Sequence, residues 1–228
     1  MFTIATSMYN EASNLNRLIS EVEALKQLIP VNRVVFVDNG STDETFKLLT
    51  DYQSLSHNVT LIQNPIHSDY TQGFSKIISA TQNENVIFFH SDLQFKIHDF
   101  IKQKKLDLDL IDFKKHFLIG KRHGRPKIDR FFSKVLQYIA SLKLDNTIID
   151  FNGQPKIFYN DVPFAIFSDI RGFGADLTLV YWLIKNKRKS IIVEITEQKR
   201  IAGKSSWNTG VSSRIKLSMS YLRNIKKL

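Results

Sequence analysis

The residues best placed to do chemistry lie together in Asn85-Val-Ile-Phe-Phe-His-Ser-Asp-Leu-Gln94. Val86 to Phe89 is apolar, and polarity arrives abruptly at His90, Ser91, Asp92 and Gln94. A short apolar run that stops at metal-type ligands reads as a buried parallel strand whose carboxyl end opens into a ligand crevice. Asp92 and Gln94 sit two apart, so on an extended segment both side chains point the same way. One carboxylate and one neutral oxygen, completed by phosphate oxygens and water, suit a hard divalent cation such as Mg²⁺ or Mn²⁺ on a diphosphate. The plain alternative is a strand end capped by polar residues.

A second carboxylate stands out in Gly172-Phe-Gly-Ala-Asp176, just ahead of a strongly apolar run, Leu177–Ile184. An Asp there caps the orphan N–H groups of a helix, or serves as a general base toward a hydroxyl, and both roles can hold at once. Several other chemistries are disfavoured. There is no cysteine, hence no disulfide and no thiolate, which fits a reducing compartment. No Gly-x-Gly-x-x-Gly follows the first strand and no Gly-x4-Gly-Lys-Ser/Thr occurs, which argues against a dinucleotide dehydrogenase or a P-loop NTPase. Neither a Ser-His-Asp arrangement nor the close carboxylate pair of a glycosidase is evident.

The elements that must position these residues follow from periodicity. Phe2–Thr6 reads as a strand, and Leu15, Leu18, Ile19, Val22, Leu25 and Leu28 recur at helical spacing until Pro30. Arg33–Val37 is a second strand, ending in Asp38-Asn-Gly-Ser-Thr-Asp-Glu44, where Ser41 and Glu44 fit a capping box for the next helix. Val59–Gln63 is a third strand, Gly73–Thr81 a helix and Val86–Phe89 a fourth strand. Four strand–helix alternations in some ninety residues predict an α/β chain with a doubly wound, mostly parallel sheet and a site at the carboxyl ends of its strands. Beyond that, Ile97–Leu110 reads as a helix, Phe117–Gly120 as a short strand and Lys121–Lys127 as a basic loop. Phe131, Phe132, Val135, Leu136 and Ile139 form a stripe expected in the core. Ser190–Ile195 is a late strand and Arg200–Trp207 a polar loop. Val211, Ile215, Met219, Leu222 and Ile225 line a final basic helix.

The 228 residues, 43% hydrophobic, suit one domain over 1–228: a nucleotide-binding half at 1–94, an acceptor half at 95–210 and a basic amphipathic helix at 211–228. No apolar run approaches the roughly 20 residues of a membrane span, and the N-terminus begins as a strand rather than as a secretory signal, so a cytoplasmic chain is expected. The net charge is +10; from Lys185 onward twelve Lys and Arg face two Glu, which by itself is +10. Such an end suits an anionic partner: phosphate, an acidic membrane face or nucleic acid. Nucleic acid is disfavoured, because the aromatics are not interleaved with the basic residues as a stacking platform requires.

Taken in order, the segments resemble the family 2 glycosyltransferases of GT-A fold, and most closely the polyprenyl-phosphate (dolichol-phosphate mannose synthase-like) sugar transferases. Ser7-Met-Tyr-Asn-Glu11 is similar to the family's Pro-x-Tyr-Asn-Glu, and Val37–Thr45 to its Val-Asp-Asp-Gly-Ser-x-Asp-x-Thr. His90–Gln94 is similar to Asp-x-Asp-Leu-Gln. Asp150-Phe-Asn-Gly-Gln-Pro-Lys-Ile-Phe158 resembles the Asp-x-Asn-x-Gln-Pro-Lys-x-Phe of one subgroup, and Arg200–Trp207 its Arg-x-x-Gly-x-Ser ending.

The resemblance implies an inverting, metal-dependent transferase that moves a sugar from a UDP- or GDP-linked donor to a polyprenyl phosphate. It implies Ser7, Tyr9, Glu11, Asp38, Asn39, Ser91 and Asp92 on the donor, and Asp92 and Gln94 on the metal. Asp92 and Asp176 become the catalytic pair, and Arg122, Arg130, Arg200, Lys204 and Trp207 the acceptor side. A lipid acceptor implies peripheral contact with the cytoplasmic face of a membrane, through the final helix. The alternatives are a transferase that extends a surface polysaccharide with Asp176 as base, and a degenerate nucleotide-binding fold without catalysis. Three positions depart from the pattern: Ser7 for Pro, Asn39 for Asp and His90 for Asp. His90 is read as a satisfied histidine rather than a ligand, and Asn39 as a change in donor preference.

Overall fold

The computed structural model describes residues 1–103, 106–124, 127–144, 147–196 and 211–227. The first part alternates β1 (Phe2–Met8), α1 (Leu15–Leu28), β2 (Val31–Asp38), α2 (Thr45–Leu55), β3 (Val59–Gln63), α3 (Tyr70–Ala80) and β4 (Asn85–Phe88). The second comprises α4 (Ile97–Gln103), β5 (His116–His123), α5 (Lys127–Ser141), β6 (Lys156–Tyr159), α6 (Ala175–Lys185), β7 (Lys189–Thr196) and α7 (Val211–Lys227). All seven strands join one sheet in the order β3-β2-β1-β4-β6-β5-β7. β1 to β4 run parallel, while β6 lies antiparallel between β4 and β5. The sheet therefore crosses the boundary expected between the two halves.

Period-two alternation divides the core. Val35 and Val37 face α3, α6 and α7 on one side, with Phe74, Leu179 and Ile225. Val34 and Phe36 face α1 and α4 on the other, with Leu18, Leu25 and Phe100. A strand buried on both faces must be apolar throughout, which is why β2 and β4 read as unbroken runs. α1 ends at Ile29, whose backbone is extended ahead of Pro30, as the ring of a following proline requires.

Five expectations are corrected here. β5 continues to His123, so Lys121 and Arg122 are strand residues, not loop. α4 stops at Gln103, short of the helix expected to Leu110. The capping box does not form: Ser41 Oγ accepts from the Asn10 N–H, and Asp43 receives the Thr45 and Ala12 N–H groups. The α5 stripe is divided, with Leu136 buried but Phe131 and Val135 exposed. α7 turns Tyr221, Asn224 and Ile225 into the protein while Met219 stays exposed, so the stripe expected along this helix is split between core and surface.

Candidate active site

The carboxyl ends of β1, β2 and β4 meet at one edge, with Met8 in register with Asp38. Three loops leave from there and carry the candidate site. The first group of side chains lies beyond β1 and β2. Tyr9 stacks on His67, ring centroids 3.7 Å apart and 27° between planes. His67 Nδ1 lies 3.1 Å from the Asn39 carbonyl oxygen.

Asn39, only 5% exposed, is committed within the protein. Its amide nitrogen donates to the carbonyl oxygens of Ser68 (2.8 Å) and Asp69 (3.3 Å). Its oxygen accepts from Asn64 Nδ2 (2.7 Å) and Ser68 Oγ (2.6 Å). Asn39 thus binds the segment after β3 to the end of β2, and an aspartate could not donate the first two bonds. Gly40 has φ +78°, and a Cβ there would collide with the Ile66–His67 backbone, so only glycine lets that segment close. Asp38 is fully buried and accepts from the Ser41 N–H. Ser7 packs beside Asn39 across Gly73, and Glu11 accepts from Asn14 Nδ2. The structure brings Ser7, Tyr9, Asp38 and Asn39 together, with Tyr9 as the exposed member.

Beyond β4 the chain does not stay extended. Leu93 has φ +51°, its N–H closes a turn to the His90 carbonyl, and the Gln94 N–H donates to Asp92 Oδ1 at 3.2 Å. The inference that Asp92 and Gln94 share a direction along a strand is therefore corrected. Asp92 is half-buried at the cleft, and Ser91 is buried behind it.

The cleft floor is a buried polar cluster. Asp176, at the start of α6, forms an ion pair with Lys156 of β6, with both side chains at most 3% exposed. Lys156 Nζ also donates to the Gly153 carbonyl at 2.9 Å. Gly153 has no room for a Cβ against the Gly120 backbone of β5, so this loop sits close enough for Gln154 to reach the site. Gln154 Nε2 lies 3.2 Å from Asp176 Oδ1 and 3.0 Å from His90 Nε2. Tyr70 Oη, at the start of α3, lies 3.0 Å from the same His90 nitrogen. Asp69 caps α3 and accepts from the Gly172 N–H at 2.7 Å, which ties α3 to the turn leading into α6.

Burial alone would raise the pKa of Asp176, but the charge of Lys156 and the hydrogen bonds from Lys156 and Tyr70 hold it below the usual carboxylate range. For Lys156, burial outweighs the pull of Asp176 and lowers the pKa from its ordinary 10.5. Both pKa values are thus lowered, and near neutrality Asp176 is an anion with the Lys156 cation in contact. Tyr70 stays neutral, since burial and the Asp176 charge push its hydroxyl well above the usual range.

These states fix the histidine. Ionised Asp176 only accepts, so Gln154 turns its NH₂ group toward it, and that same group faces His90. His90 Nε2 faces both that NH₂ group and the Tyr70 hydroxyl, and the Gln154 contact alone would place the ring hydrogen on Nδ1. Burial lowers the pKa of His90 against the opposing pull of Asp176 and Asp92, which keeps the imidazole neutral. His90 is thus satisfied through Nε2, and its N–H has no partner among the described residues. Among the described residues Gln154 Oε1 is buried without a hydrogen-bond partner.

Arg122 is held by Asp150 in a two-pronged pair (Nε to Oδ2 2.8 Å, Nη2 to Oδ1 2.7 Å), with both side chains nearly buried. Arg130 is exposed on α5. Arg200, Lys204 and Trp207 lie outside the described residues. His67, Tyr70, Gln154 and Lys156 are site residues that the sequence reading missed. Only Gln154 and Lys156 carried a signal, as the Gln-Pro-Lys of the resembling motif.

A divalent cation was expected at Asp92. Among the described residues no group of three His, Cys, Asp or Glu could hold a metal by itself. The half-exposed Asp92 carboxylate fits the other arrangement, in which one carboxylate shares a cation with substrate phosphates.

Comparison with known proteins agrees with this architecture. The model of glycosyl transferase family 2 matches residues 3–169. A protein of Synechocystis sp. described as an uncharacterized glycosyltransferase is 24% identical over 153 residues. The match takes in 65% of this chain and 48% of that protein, so the chain spans about half its relative's length. Mannosyl-3-phosphoglycerate synthase from Rubrobacter xylanophilus superposes with TM-score 0.68 at 12% identity, covering 99% of this chain and 72% of that one. Glucosyl-3-phosphoglycerate synthase from Mycobacterium tuberculosis, solved with Mn²⁺, UDP and glucosyl-3-phosphoglycerate, gives 0.64 at 13%, covering 99% and 80%. At these identities the two structures show a shared fold.

Proposed function

The chain belongs to glycosyl transferase family 2, and from that premise we propose that it transfers a sugar from a UDP- or GDP-linked donor to a polyprenyl phosphate, with inversion at the anomeric carbon. One observation carries the choice of acceptor. Asp176 is engaged by Lys156 and held below the usual carboxylate range, which makes it a poor base. His90 presents an N–H, not a lone pair. Among the described residues a sugar hydroxyl would find no group poised to take its proton, whereas a phosphate oxygen arrives already ionised.

In this reading Tyr9 and His67 receive the nucleobase, and Ser7, Glu11 and the Asp38–Asn39 turn form the walls around the nucleoside. The diphosphate lies at Ser91 and Asp92. A cation, Mg²⁺ or Mn²⁺, would be held by Asp92, with Gln94 beside it, and would draw charge from the departing diphosphate. His90 donates Nδ1–H to an oxygen of the reacting region, stabilising charge without giving up its proton. Asp176 and Gln154 orient that imidazole. Arg200 and Lys204 hold the acceptor phosphate, Trp207 its flank, and Arg122 keeps the Asp150 loop in place.

The test is transfer from a panel of UDP- and GDP-sugars to a short polyprenyl phosphate, with Mg²⁺, Mn²⁺ or EDTA, for wild type and Asp92→Ala. Cation-dependent transfer that is lost in Asp92→Ala is expected. Transfer only to a glycan hydroxyl, abolished in Asp176→Asn, would replace this reading by polysaccharide extension. Donor binding by calorimetry with no turnover would replace it by a nucleotide-binding role.

A further inference from the structure

α5 carries a second surface that the cleft does not use. Ile128, Phe131, Val135 and Tyr138 are all exposed, and Leu142 continues their line just past the helix end. The spacing alternates three and four residues, which keeps a single stripe on one side of a helix. Phe131 is 65% exposed, Tyr138 63% and Leu142 66%, while Leu136 and Ala140, on the other side, join the core. The fifteen-residue helix is about 22 Å long at 1.5 Å per residue. A row of large apolar side chains of that length is unusual on a surface without a partner.

The flanking charge selects the partner. Arg130, Lys134 and Lys143 are exposed beside the stripe, and Asp129 is the sole acidic residue from 127 to 143. A second copy of the chain laid on this face would set Arg130 and Lys134 against their own kind with only Asp129 to offset them. A sheet of anionic headgroups complements them, and an aromatic and aliphatic row between cations suits the boundary between headgroups and acyl chains. α7 packs beside α5 and exposes Arg223 and Lys226, which extends the positive field. Among the described residues no helix is long and apolar enough to cross a membrane, so this contact lies in the plane of the surface.

We infer that the outward face of α5 docks the protein on an anionic bilayer, with Phe131 and Tyr138 inserted and Arg130, Lys134 and Lys143 on the headgroups. The inference rests on the lipid-acceptor reading for its purpose only; its evidence is the surface itself. β5 leads from Arg122, beside the cleft, into α5, so docking there would bring the acceptor side of the site toward the membrane.

The experiment is flotation of the full chain with vesicles of phosphatidylcholine alone or mixed with phosphatidylglycerol, neither containing an acceptor lipid. Wild type should float with the anionic vesicles and not with the neutral ones. Phe131→Glu should remove binding, and Arg130→Gln with Lys134→Gln should weaken partitioning about fivefold per charge, with thermal unfolding unchanged in both. No binding by wild type, or equal binding by Phe131→Glu, overturns the proposal. So does a concentration-dependent dimer in sedimentation that Phe131→Glu abolishes, because a second copy would then cover the face. Donor binding by calorimetry, run on the same samples, keeps the two readings apart. Flotation without donor binding sinks the transferase reading alone, and donor binding without flotation sinks the docking face alone.

Discussion

Replacing Lys156 by methionine removes the cation beneath Asp176 while keeping most of the side-chain volume. Both members of the pair are at most 3% exposed, so the carboxylate would remain buried with only Gln154 and Tyr70 to answer its charge. Breaking a buried pair from one side costs about 3–5 kcal/mol. At about 2–4 °C per kcal/mol for a chain of this size, the midpoint should fall by roughly 6–20 °C. The pH dependence gives a second reading. In the wild type the folded pKa of Asp176 is depressed, so its stabilisation is present above about pH 4 and is lost as pH falls through the folded value. In Lys156→Met burial dominates and raises that pKa, so the variant loses stability as pH rises from about 4 toward neutrality. The deficit should therefore be large near pH 7 and smaller near pH 4. Urea unfolding at both pH values, with Asp176→Asn and the double variant completing a cycle, measures this. The double variant should be less destabilised than the sum of the singles by about 2 kcal/mol or more, within the usual range for contacting residues. A single variant within about 1 kcal/mol of wild type, or an additive cycle, would refute the reasoning that this ion pair holds the cleft floor.

Asn39→Asp restores the residue found in the resembling family, yet it should destabilise the chain by about 1–3 kcal/mol, because the bonds donated to Ser68 and Asp69 are lost and a carboxylate meets two carbonyls; thermal unfolding and donor affinity by calorimetry would both show the loss. Gly40→Ala should weaken donor binding at least tenfold, since a side chain at φ +78° would push away the segment carrying His67; unchanged calorimetry would count against a nucleoside pocket there. For His90, ¹⁵N-resolved NMR should show the Nδ1–H tautomer at neutral pH. Because its folded pKa lies below the ordinary value, His90 should also make stability fall as pH drops from about 6.5 through the folded pKa, and His90→Gln should remove that part of the pH profile.

The sequence by itself determined the framework. Unbroken apolar runs at Val34–Val37 and Val86–Phe89, with helical stripes between, required strands buried on both faces, and both strands do lie in the interior of the sheet, flanked on each side. The motif residues at the strand ends were legible for the same reason, since polar side chains at the carboxyl ends of buried strands converge on one edge. Period and local spacing report only what a segment buries near itself, and the remaining features depend on distant partners. Lys156 read as a residue of a short strand because its carboxylate lies 20 positions away, on α6. Asn39 read as a change in donor preference because the loop it binds comes 25 to 30 positions later. Asp92 and Gln94 seemed aligned only until the turn at Leu93 ended the strand. The apolar stripe of α5 matched a buried helix, and nothing local could say that only part of it meets the core. That depends on how many sides of the helix the rest of the chain covers, which tertiary structure alone decides.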